Sequence, residues 1–451
     1  MFFKPNILKI QIRRRYKKLK NNLLYKNKIK TQLITSLQNK NDLYVKKILE
    51  YNKSRIFGAN SCICFAAKRS ILWGENGITV PCCLNREKIY GTYPKNTVDE
   101  ILNSETRKIL QQHLEKSDLS FGCNVCEDII KSGNFQSVNA RLADTLPDVS
   151  APKFHKEDFK IPFSRAEANY PSEMIFELDN NCNLNCIMCK PDFSKTVAKH
   201  RNCNDAACHV SPYDQNFVKQ LEKYIPYLKN TKFLGGEPFL INIYYDIWDL
   251  IIKLNPKCNI HVQTNATIFN EKIKNYLKNY KFHIGISIDS LQKDNFEAIR
   301  RNANYDSVMK NTNEIMKILK SKGRFLNLSV CPMQQNWQDI PEIVNFCNKN
   351  NIFLFFNTVY TKGFSLSELS IDELKNILSV YNNVKVKKFS LIYKKNKQTF
   401  NDLKNYIKEI IEEKENYQNK INNRKILKYK FSTSQFAKIC IERSNNNEQF
   451  I

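Results

Sequence analysis

Three cysteines in one short stretch are the residues of this 451-residue chain most suited to chemistry. They are Cys182, Cys186 and Cys189, in the segment CNLNCIMC, which spaces them C-x3-C-x2-C. Structural zinc normally takes four protein ligands, whereas a four-iron cluster held by three cysteines keeps one iron open for another ligand. Three reduced thiols without metal are the alternative, because a short motif without context is only a hypothesis.

The chain around these cysteines supplies that context. The segment MIFEL at 174–178 reads as a short buried strand, and the polar residues 179–181 supply a turn before the first cysteine. A second strand at 232–234 runs into a turn whose residues are Gly235, Gly236, Glu237 and Pro238. Two glycines let a backbone approach a ligand closely, and the proline rigidifies the exit from the turn.

A cysteine motif after one strand and a Gly-Gly-Glu-Pro turn after the next resemble the radical S-adenosylmethionine (radical SAM) superfamily. The resemblance implies that the open iron of a 4Fe–4S cluster binds S-adenosylmethionine. One electron then splits this cofactor into methionine and a 5′-deoxyadenosyl radical, which takes a hydrogen atom from a substrate. It also implies that the turn at 235–238 hydrogen-bonds the methionyl amino group, and that a ferredoxin or flavodoxin donates the electron.

The middle of the chain alternates strands and helices. Further strands are predicted from β-branched and aromatic content at 259–265, 282–289, 326–332 and 352–359, with helices near 243–254, 270–280, 304–321 and 339–350. Alternation of this kind implies parallel strands with right-handed crossovers. We therefore predict an α/β fold, an open parallel partial (β/α)6 TIM-type barrel over about 172–362. Barrel enzymes place their sites at the C-terminal strand ends, where both motifs fall.

Polar residues at the ends of other strands are further candidates for the cofactor site. Ser287 and Asp289 end the fourth strand as SIDS, where the resemblance implies contacts to the ribose and carboxylate of the cofactor. Capping of the following helix is the alternative for both residues. Thr264 and Asn265, which end the third strand, are weaker candidates.

A second group of cysteines precedes the barrel. A C-x2-C pair with two distant cysteines can make a zinc ribbon as well as an iron–sulfur site, so spacing does not choose the metal. The group resembles the twitch domain, a shortened relative of the SPASM domain, although such modules more often follow the barrel. The resemblance implies a second, auxiliary 4Fe–4S cluster on Cys62, Cys82, Cys123 and Cys126. Cys82 fits the spacing from Gly77, but the adjacent Cys83 leaves that ligand ambiguous, and Cys64 is a spare thiol.

A third cluster of metal-binding residue types lies between the first strand and its helix. His200, Cys203, Cys208 and His209 fall within ten residues and could bind zinc. A polar loop at the mouth of a barrel also varies with substrate specificity, which is the alternative explanation.

Composition and charge limit the remaining possibilities. The formal net charge is +27, and residues 1–55 hold sixteen lysines and arginines against two acidic residues. This basic segment could lie on an anionic membrane surface, hold an acidic partner or be a solvated tail, and no specific nucleic acid is predicted. Fifteen cysteines and no long apolar run favour a cytoplasmic, reducing and anaerobic or microaerobic setting.

We divide the chain into a basic helical extension (1–55), a small cysteine-rich α+β module (56–140), the barrel (165–365) and a helical C-terminal region (366–451). The prediction is a radical SAM enzyme whose substrate is a ribosomally made peptide or, second, a sugar or other small metabolite. An RNA-modifying radical enzyme and a non-catalytic zinc or iron–sulfur interaction protein are the rivals from other classes.

Overall fold

A computed structural model of the protein describes residues 42–55, 62–133, 135, 138, 170–203, 210–384 and 391–426. Most of the basic segment 1–55 and the ends of the chain therefore lie outside the described residues. The chain divides into two compact units, residues 1–330 and residues 331–451. Among the described residues, no helix is long and apolar enough to cross a membrane.

The first unit begins with small elements that include the second cysteine group. In chain order these are α1 (Asp42–Ser54), α2 (Ala66–Arg69), β1 (Ser70–Trp73), β2 (Ile78–Val80), β3 (Gly91–Thr92), α3 (Val98–Leu102), α4 (Glu105–Glu115) and α5 (Asn124–Ser132). Helix α3 starts with a capping box, in which the Thr97 hydroxyl and the Glu100 carboxylate each accept a backbone N–H at the helix start. The predicted mixture of short strands and helices is thus present.

The strands of the barrel follow. They are β4 (Glu173–Phe176), β6 (Asn230–Phe233), β7 (Asn259–Thr264), β8 (Phe282–Ser287) and β10 (Leu326–Val330). They pair in parallel in the order β4-β6-β7-β8-β10. Strand β1 extends this sheet by pairing in parallel with β4, and β2 and β3 then add antiparallel strands. The predicted parallel α/β barrel fold is confirmed, and the hairpin that precedes it in sequence belongs to the same sheet.

Helices cover one face of this sheet. They are α6 (Lys195–His200), α7 (Gln215–Leu221), α8 (Asn242–Leu254), α9 (Glu271–Asn279), α10 (Lys293–Ile299) and α11 (Tyr305–Ser321). Trp248 of α8 packs edge-on against Phe233 and Phe282, with ring centroids 5.5 Å apart in both pairs. Burying each large aromatic side chain contributes about 1.5–3 kcal/mol to the free energy of unfolding. This apolar packing holds α8 against the sheet from which the polar loops extend.

The opposite face of the sheet is polar over β7, β8 and β10. Side chains alternate between the two faces of a strand, so residues that neighbour Phe233, Val262 and Ile284 in sequence point away from the helices. A hydrogen-bonded chain runs across this polar face, from Asn327 to Ser329 (2.9 Å), from Ser329 to Gln263 (3.0 Å) and from Gln263 to Ser287 (2.9 Å). We call this surface the inner face.

A small antiparallel ladder, not expected from the sequence, joins two loops above the sheet. Strand β5 (Asn185–Cys186) lies within the three-cysteine motif, and it pairs with β9 (Arg300–Arg301) directly after α10. Each strand has two residues, too few to show a periodic pattern in the sequence.

The second unit contains α12 (Ile340–Asn350), β11 (Phe353–Phe356), α13 (Ile371–Asn382) and α14 (Leu391–Ile426). Strand β11 is the sixth strand of the predicted series, and α13 and α14 form the predicted helical C-terminal region. Ser365 caps a short 3-10 turn, and the cap of α13 is Ser370, whose capping box with Glu373 satisfies two backbone N–H groups.

Candidate functional site

The three-cysteine motif lies in a loop (residues 177–190, the cysteine loop) that leaves the C-terminal end of β4. Lys195 anchors its start, because its backbone N–H donates to the Asn180 carbonyl (3.0 Å) and its ammonium lies 3.1 Å from the Asp179 carboxylate. Further along the loop, Cys186 is paired through β5 with Arg300 of β9. The backbone on both sides of the cysteines is therefore hydrogen-bonded to other elements.

The turn at 235–238 packs directly on the cysteine loop. The Gly236 N–H donates to the Asp179 carbonyl (3.1 Å), and the Glu237 N–H donates to the Asn181 carbonyl (2.8 Å). A Cβ on Gly236 would lie 2.2 Å from the Asn181 carbonyl oxygen, and Gly235 has φ +102°. The sequence argument expected a ligand beside Gly236. The structure fills that space with the backbone that leads into Cys182, so the glycines are needed for this close approach.

Glu237 is a buried anchor between this turn and the end of β7. Its carboxylate accepts hydrogen bonds from the Thr264 hydroxyl (2.7 Å), the Asn265 N–H (2.7 Å) and the Phe239 N–H (3.1 Å). The side chain is fully buried, and this burial raises its pKa to about 7 despite the three hydrogen bonds. Thr264 and Asn265, the weaker sequence candidates, thus support Glu237.

The three thiols share one electrostatic environment. Burial raises the pKa of Cys182 to about 11 and that of Cys189 to about 12, and it also raises the pKa of Cys186. Cys189 is further influenced by the other two thiols of the motif. Asn265 directs its side-chain amide toward Cys182, with 3.9 Å between Nδ2 and Sγ. The thiols therefore stay neutral unless a metal replaces their protons.

Ser287 and Asp289 lie in different surroundings. The Ser287 hydroxyl stands on the inner face and accepts a hydrogen bond from Gln263. Asp289 is fully buried, and its carboxylate lies 2.7 Å from the guanidinium of Arg300. The alternative role of both residues, capping of α10, is wrong, because the N-cap position is Gln292.

The second group of cysteines surrounds a cavity in the first unit, which we call the auxiliary cavity. Leu110 and Leu114 of α4 contribute apolar side chains to its wall, and the strand residues Ser70, Glu173 and Lys232 close one side. The Glu173 carboxylate accepts hydrogen bonds from the other two, at 3.3 Å from Ser70 and 3.0 Å from Lys232. Five thiols line the cavity: Cys64, Cys82, Cys83, Cys123 and Cys126.

Cys62, which the sequence argument placed in the ligand set, does not line this cavity. Its thiol donates to the backbone carbonyl of Cys64 (2.9 Å), and its own carbonyl accepts from Arg55 at the end of α1 (2.6 Å). Cys64 is the thiol of this pair that faces the others. Burial raises the pKa of Cys64 well above its usual range, and the neighbouring Cys82, Cys123 and Cys126 raise it further.

Position alone does not choose between Cys82 and Cys83 as the ligand, because both residues line the cavity. Cys82 is the more buried of the two, and burial raises its pKa to about 12, with Cys83 as the next cause. Cys83 is exposed. Asn85, which follows them, donates its side-chain amide to the Cys123 thiol (3.3 Å) and so ties this turn to the start of α5.

The third cluster of metal-binding residue types is only partly described. Cys208 and His209 lie outside the described residues. Cys203 contacts the carbonyl of Arg201 (3.6 Å), and His200 ends α6. This prediction stays a prediction.

Comparison with known proteins identifies the domain that contains the cysteine loop. The family model described as the Radical SAM superfamily matches residues 177–347. Residues 177–347 are thus similar to the radical SAM superfamily. This agrees with the predicted fold and with the position of both motifs at the C-terminal strand ends.

Three curated relatives match parts of this chain. An uncharacterized protein of Methanocaldococcus jannaschii is 30% identical over 176 residues, which are 38% of this chain and 57% of that protein. A GTP 3′,8-cyclase of Clostridium botulinum is 27% identical and covers 45% of this chain and 51% of its own length. A cysteine-type anaerobic sulfatase-maturating enzyme of Clostridium novyi is 28% identical, with 41% and 50% covered. The chain spans about half the length of these relatives.

The radical SAM family implies a 4Fe–4S cluster and S-adenosylmethionine, and the cysteine loop fits the cluster. Among the described residues, no three His, Cys, Asp or Glu side chains are placed to hold a single metal ion. A cubane cluster binds each thiolate through a separate iron, so its ligands surround a larger volume than the ligands of one ion do. Three half-buried thiols in one short loop, with no fourth donor beside them among the described residues, suit the cluster better than zinc.

Sequence reasoning missed two arginines of the radical SAM domain and its surroundings. Arg300 contacts the cysteine loop, and the only sequence signal is an Arg-Arg pair after α10. Arg86, next to the Cys82–Cys83 doublet, forms a 2.9 Å ion pair with Glu177 at the start of the cysteine loop. Long-range pairs of this kind leave no spacing pattern in a single sequence.

Proposed function

We propose that this protein is a radical SAM enzyme that removes a hydrogen atom from a polar substrate. One observation carries the proposal: the Gly-Gly-Glu-Pro turn and the three-cysteine loop are hydrogen-bonded to each other at the C-terminal ends of neighbouring parallel strands. This is the edge of a barrel at which enzymes assemble their sites. The assigned cluster ligands are Cys182, Cys186 and Cys189.

The residues of the chain have separate tasks in this scheme. A 4Fe–4S cluster, when bound, supplies the electron that cleaves S-adenosylmethionine into methionine and a 5′-deoxyadenosyl radical. Residues 235–238 hold the cysteine loop at a fixed distance from β6 and offer backbone groups to the cofactor. Ser287, on the inner face next to Gln263, is the residue that we assign to the ribose or carboxylate of the cofactor.

We further infer that the cysteine-rich module, residues 56–140, holds an auxiliary cluster. Four of the thiols at the auxiliary cavity suffice to ligate every iron of a cubane. The set that we assign is Cys64, Cys82, Cys123 and Cys126, because Cys62 does not line the cavity and Cys83 is exposed. A fully ligated cluster is suited to electron relay, since none of its irons is open to S-adenosylmethionine.

The polar inner face supports a polar substrate. Ser70, Glu173 and Lys232 belong to this face and also close one side of the auxiliary cavity, so a substrate on the inner face would lie between the two cysteine groups. We place a peptide first, because one relative is named as a sulfatase-maturating enzyme. A nucleotide-sized metabolite is the second candidate, because another relative is named as a GTP cyclase.

The proposal is tested with full-length protein reconstituted anaerobically with iron and sulfide. Under dithionite it should convert S-adenosylmethionine slowly to 5′-deoxyadenosine without any substrate. The matched control is the variant with Cys182, Cys186 and Cys189 changed to Ala, in which this product should be absent. Equal product formation by the control variant would overturn the proposal.

Substrate class is tested in the same assay. GTP and a cysteine-containing peptide serve as the two probes, and a true substrate class should raise 5′-deoxyadenosine formation above the uncoupled rate. Stimulation by GTP alone would reverse the order of the two candidates.

A further inference from the structure

Arg300 is placed against the cysteine loop by backbone pairing. In the β5–β9 ladder its register partner is Cys186, the middle cysteine of the motif. The Ile187 N–H also donates to the Ile299 carbonyl (3.0 Å). The backbone that carries Arg300 is therefore fixed to the backbone that carries Cys186, and the two side chains leave the ladder on the same side because they are direct antiparallel partners.

The guanidinium of Arg300 is buried beside the Asp289 carboxylate. The side chains of Arg300 and Asp289 are 8% and 0% exposed, and Nη2 lies 2.7 Å from Oδ2. A buried charge is tolerated only when it is paired and hydrogen-bonded. Asp289 therefore orients Arg300, and its carboxylate is engaged there rather than free to meet the cofactor ribose that the sequence argument assigned to it.

This one positive charge acts on every thiol of the motif. Burial raises the pKa of Cys182, Cys186 and Cys189, and Arg300 opposes that rise in all three. It also opposes the effect of burial on Glu237. Arg201, which is exposed, also lowers the pKa of Cys189. Arg300 is thus a buried cation that acts on all three thiols of the motif.

We propose that Arg300, oriented by Asp289, is a positioning residue that raises the reduction potential of the cluster held by Cys182, Cys186 and Cys189. One-electron reduction adds a negative charge to the cluster. A buried cation beside the cluster stabilises that charge, and the charge around a cluster is one of the known means by which proteins set its potential. Low exposure keeps the guanidinium from being screened by solvent. This inference rests on the proposed function of the three cysteines.

Substitutions of Arg300 and of Asp289 should change the reduction potential of the cluster in opposite directions. Arg300→Gln removes the cation, so the cluster should become harder to reduce. Asp289→Asn removes the negative charge that partly neutralises Arg300, so the cluster should become easier to reduce. Arg300→Lys keeps the charge and should return the potential toward the wild-type value. Arg301→Gln is the matched control, because Arg301 is the exposed neighbour in the same two-residue strand.

The experiment is a potentiometric titration of full-length reconstituted protein, followed by electron paramagnetic resonance. The signal that is followed is the one absent from the variant with all three cysteines changed to Ala. We expect the reduction equilibrium to fall about tenfold in Arg300→Gln, which is about 59 mV for a one-electron couple, and to rise in Asp289→Asn. Arg301→Gln should differ from wild type by much less.

Shifts of the same sign in Arg300→Gln and Asp289→Asn would overturn the inference. If the pair only stabilised the local structure, its loss would change the reduction potential in the same direction in both variants. An unchanged potential in both variants would also overturn it, and the proposed function would stand. If Arg300→Gln does not retain iron, the sign of the Asp289→Asn shift decides alone. Wild-type protein without a signal that depends on the three cysteines would overturn the inference and the proposed function together.

Discussion

The cysteine loop and the auxiliary cavity gather their thiols by different means. In the loop, three cysteines lie within eight residues, and backbone hydrogen bonds to the turn at 235–238 and to β9 hold them in place. In the cavity, the thiols come from three separate segments, and apolar side chains line the same space. A buried charge, Arg300 of β9, also lies against the loop, whereas the cavity is closed on one side by the Glu173–Lys232 ion pair on the sheet.

This difference teaches what each region is built to do. A centre with three local thiols and rigid backbone contacts presents one open coordination position in a fixed geometry. A cavity with four or more thiols from distant segments encloses a cluster completely and depends on tertiary packing. Under the proposed function, the same metal chemistry would serve two purposes, cofactor binding at the loop and electron relay or support at the cavity.

The largest effect is expected for a substitution at Gly236, where the turn at 235–238 contacts the backbone of the cysteine loop. In Gly236→Ala the new Cβ would lie 2.2 Å from the Asn181 carbonyl oxygen, so the turn and the loop cannot both keep their positions. We expect the free energy of unfolding to fall by more than about 3 kcal/mol and the loop-bound iron to be lost. Denaturant unfolding and iron analysis provide the measurements.

Gly323→Ala is the control for this substitution. A Cβ at Gly323 would meet nothing within 4 Å, although its φ is +62°. Its cost should be only about 1 kcal/mol, from backbone strain. Equal losses in the two variants would mean that the close approach at Gly236 is not what holds the cysteine loop.

The next prediction separates the two cysteine regions by their iron content and their role in cofactor cleavage. Changing Cys123 and Cys126 to Ala should remove about half of the iron and leave uncoupled cleavage of S-adenosylmethionine intact, because the cysteine loop keeps its own ligands. Turnover of the true substrate should stop. If cleavage disappears together with the iron, the two regions do not act as independent centres.

A smaller and more local test concerns individual thiols of the cavity. Cys64→Ala should lower iron to the level of the Cys123 and Cys126 double variant, whereas Cys62→Ala should keep the wild-type content, because the Cys62 thiol donates to a backbone carbonyl instead. Cys82→Ala should also lose this iron, and Cys83→Ala should not. Sensitivity at Cys62 rather than Cys64 would restore the assignment made from the sequence.

The last prediction is a pH dependence of the free energy of unfolding, which arises from Glu237 beside the cysteine loop. Burial raises the pKa of Glu237 to about 7, from an unfolded value near 4.5. Its contribution to stability is therefore fully present below about pH 4.5 and is lost as the pH rises through 7. Relative to Glu237→Gln, the free energy of unfolding of metal-free wild type should fall by up to about 3 kcal/mol across this window. A constant difference between the two proteins from pH 4.5 to 8 would contradict this.

The comparison also explains what the sequence could predict. The barrel strands and their helices follow from local signals, namely strand composition and helical periodicity, and the spacing C-x3-C-x2-C marks the cysteine loop. The choice between Cys62 and Cys64 does not follow from such signals, because two residues of spacing leave both thiols available and only the folded structure shows that Cys64 lines the cavity. Arg300 was missed for the same reason, since its partner Cys186 is distant in sequence.

The role of the glycines shows a further limit. The Gly-Gly-Glu-Pro motif correctly indicates a close approach, but the sequence cannot say what approaches. Here it is the backbone of residues 179–181, and Glu237 is turned toward Thr264 and Asn265 rather than toward open space.

The most direct test of the difference between the two regions is the response of each reduced cluster to S-adenosylmethionine, followed by electron paramagnetic resonance. In the variant without Cys123 and Cys126, the remaining signal should change shape when the cofactor is added, because one iron is open. In the variant without Cys182, Cys186 and Cys189, the remaining signal should not respond. A response in the second variant and none in the first would contradict the assignment of the two centres.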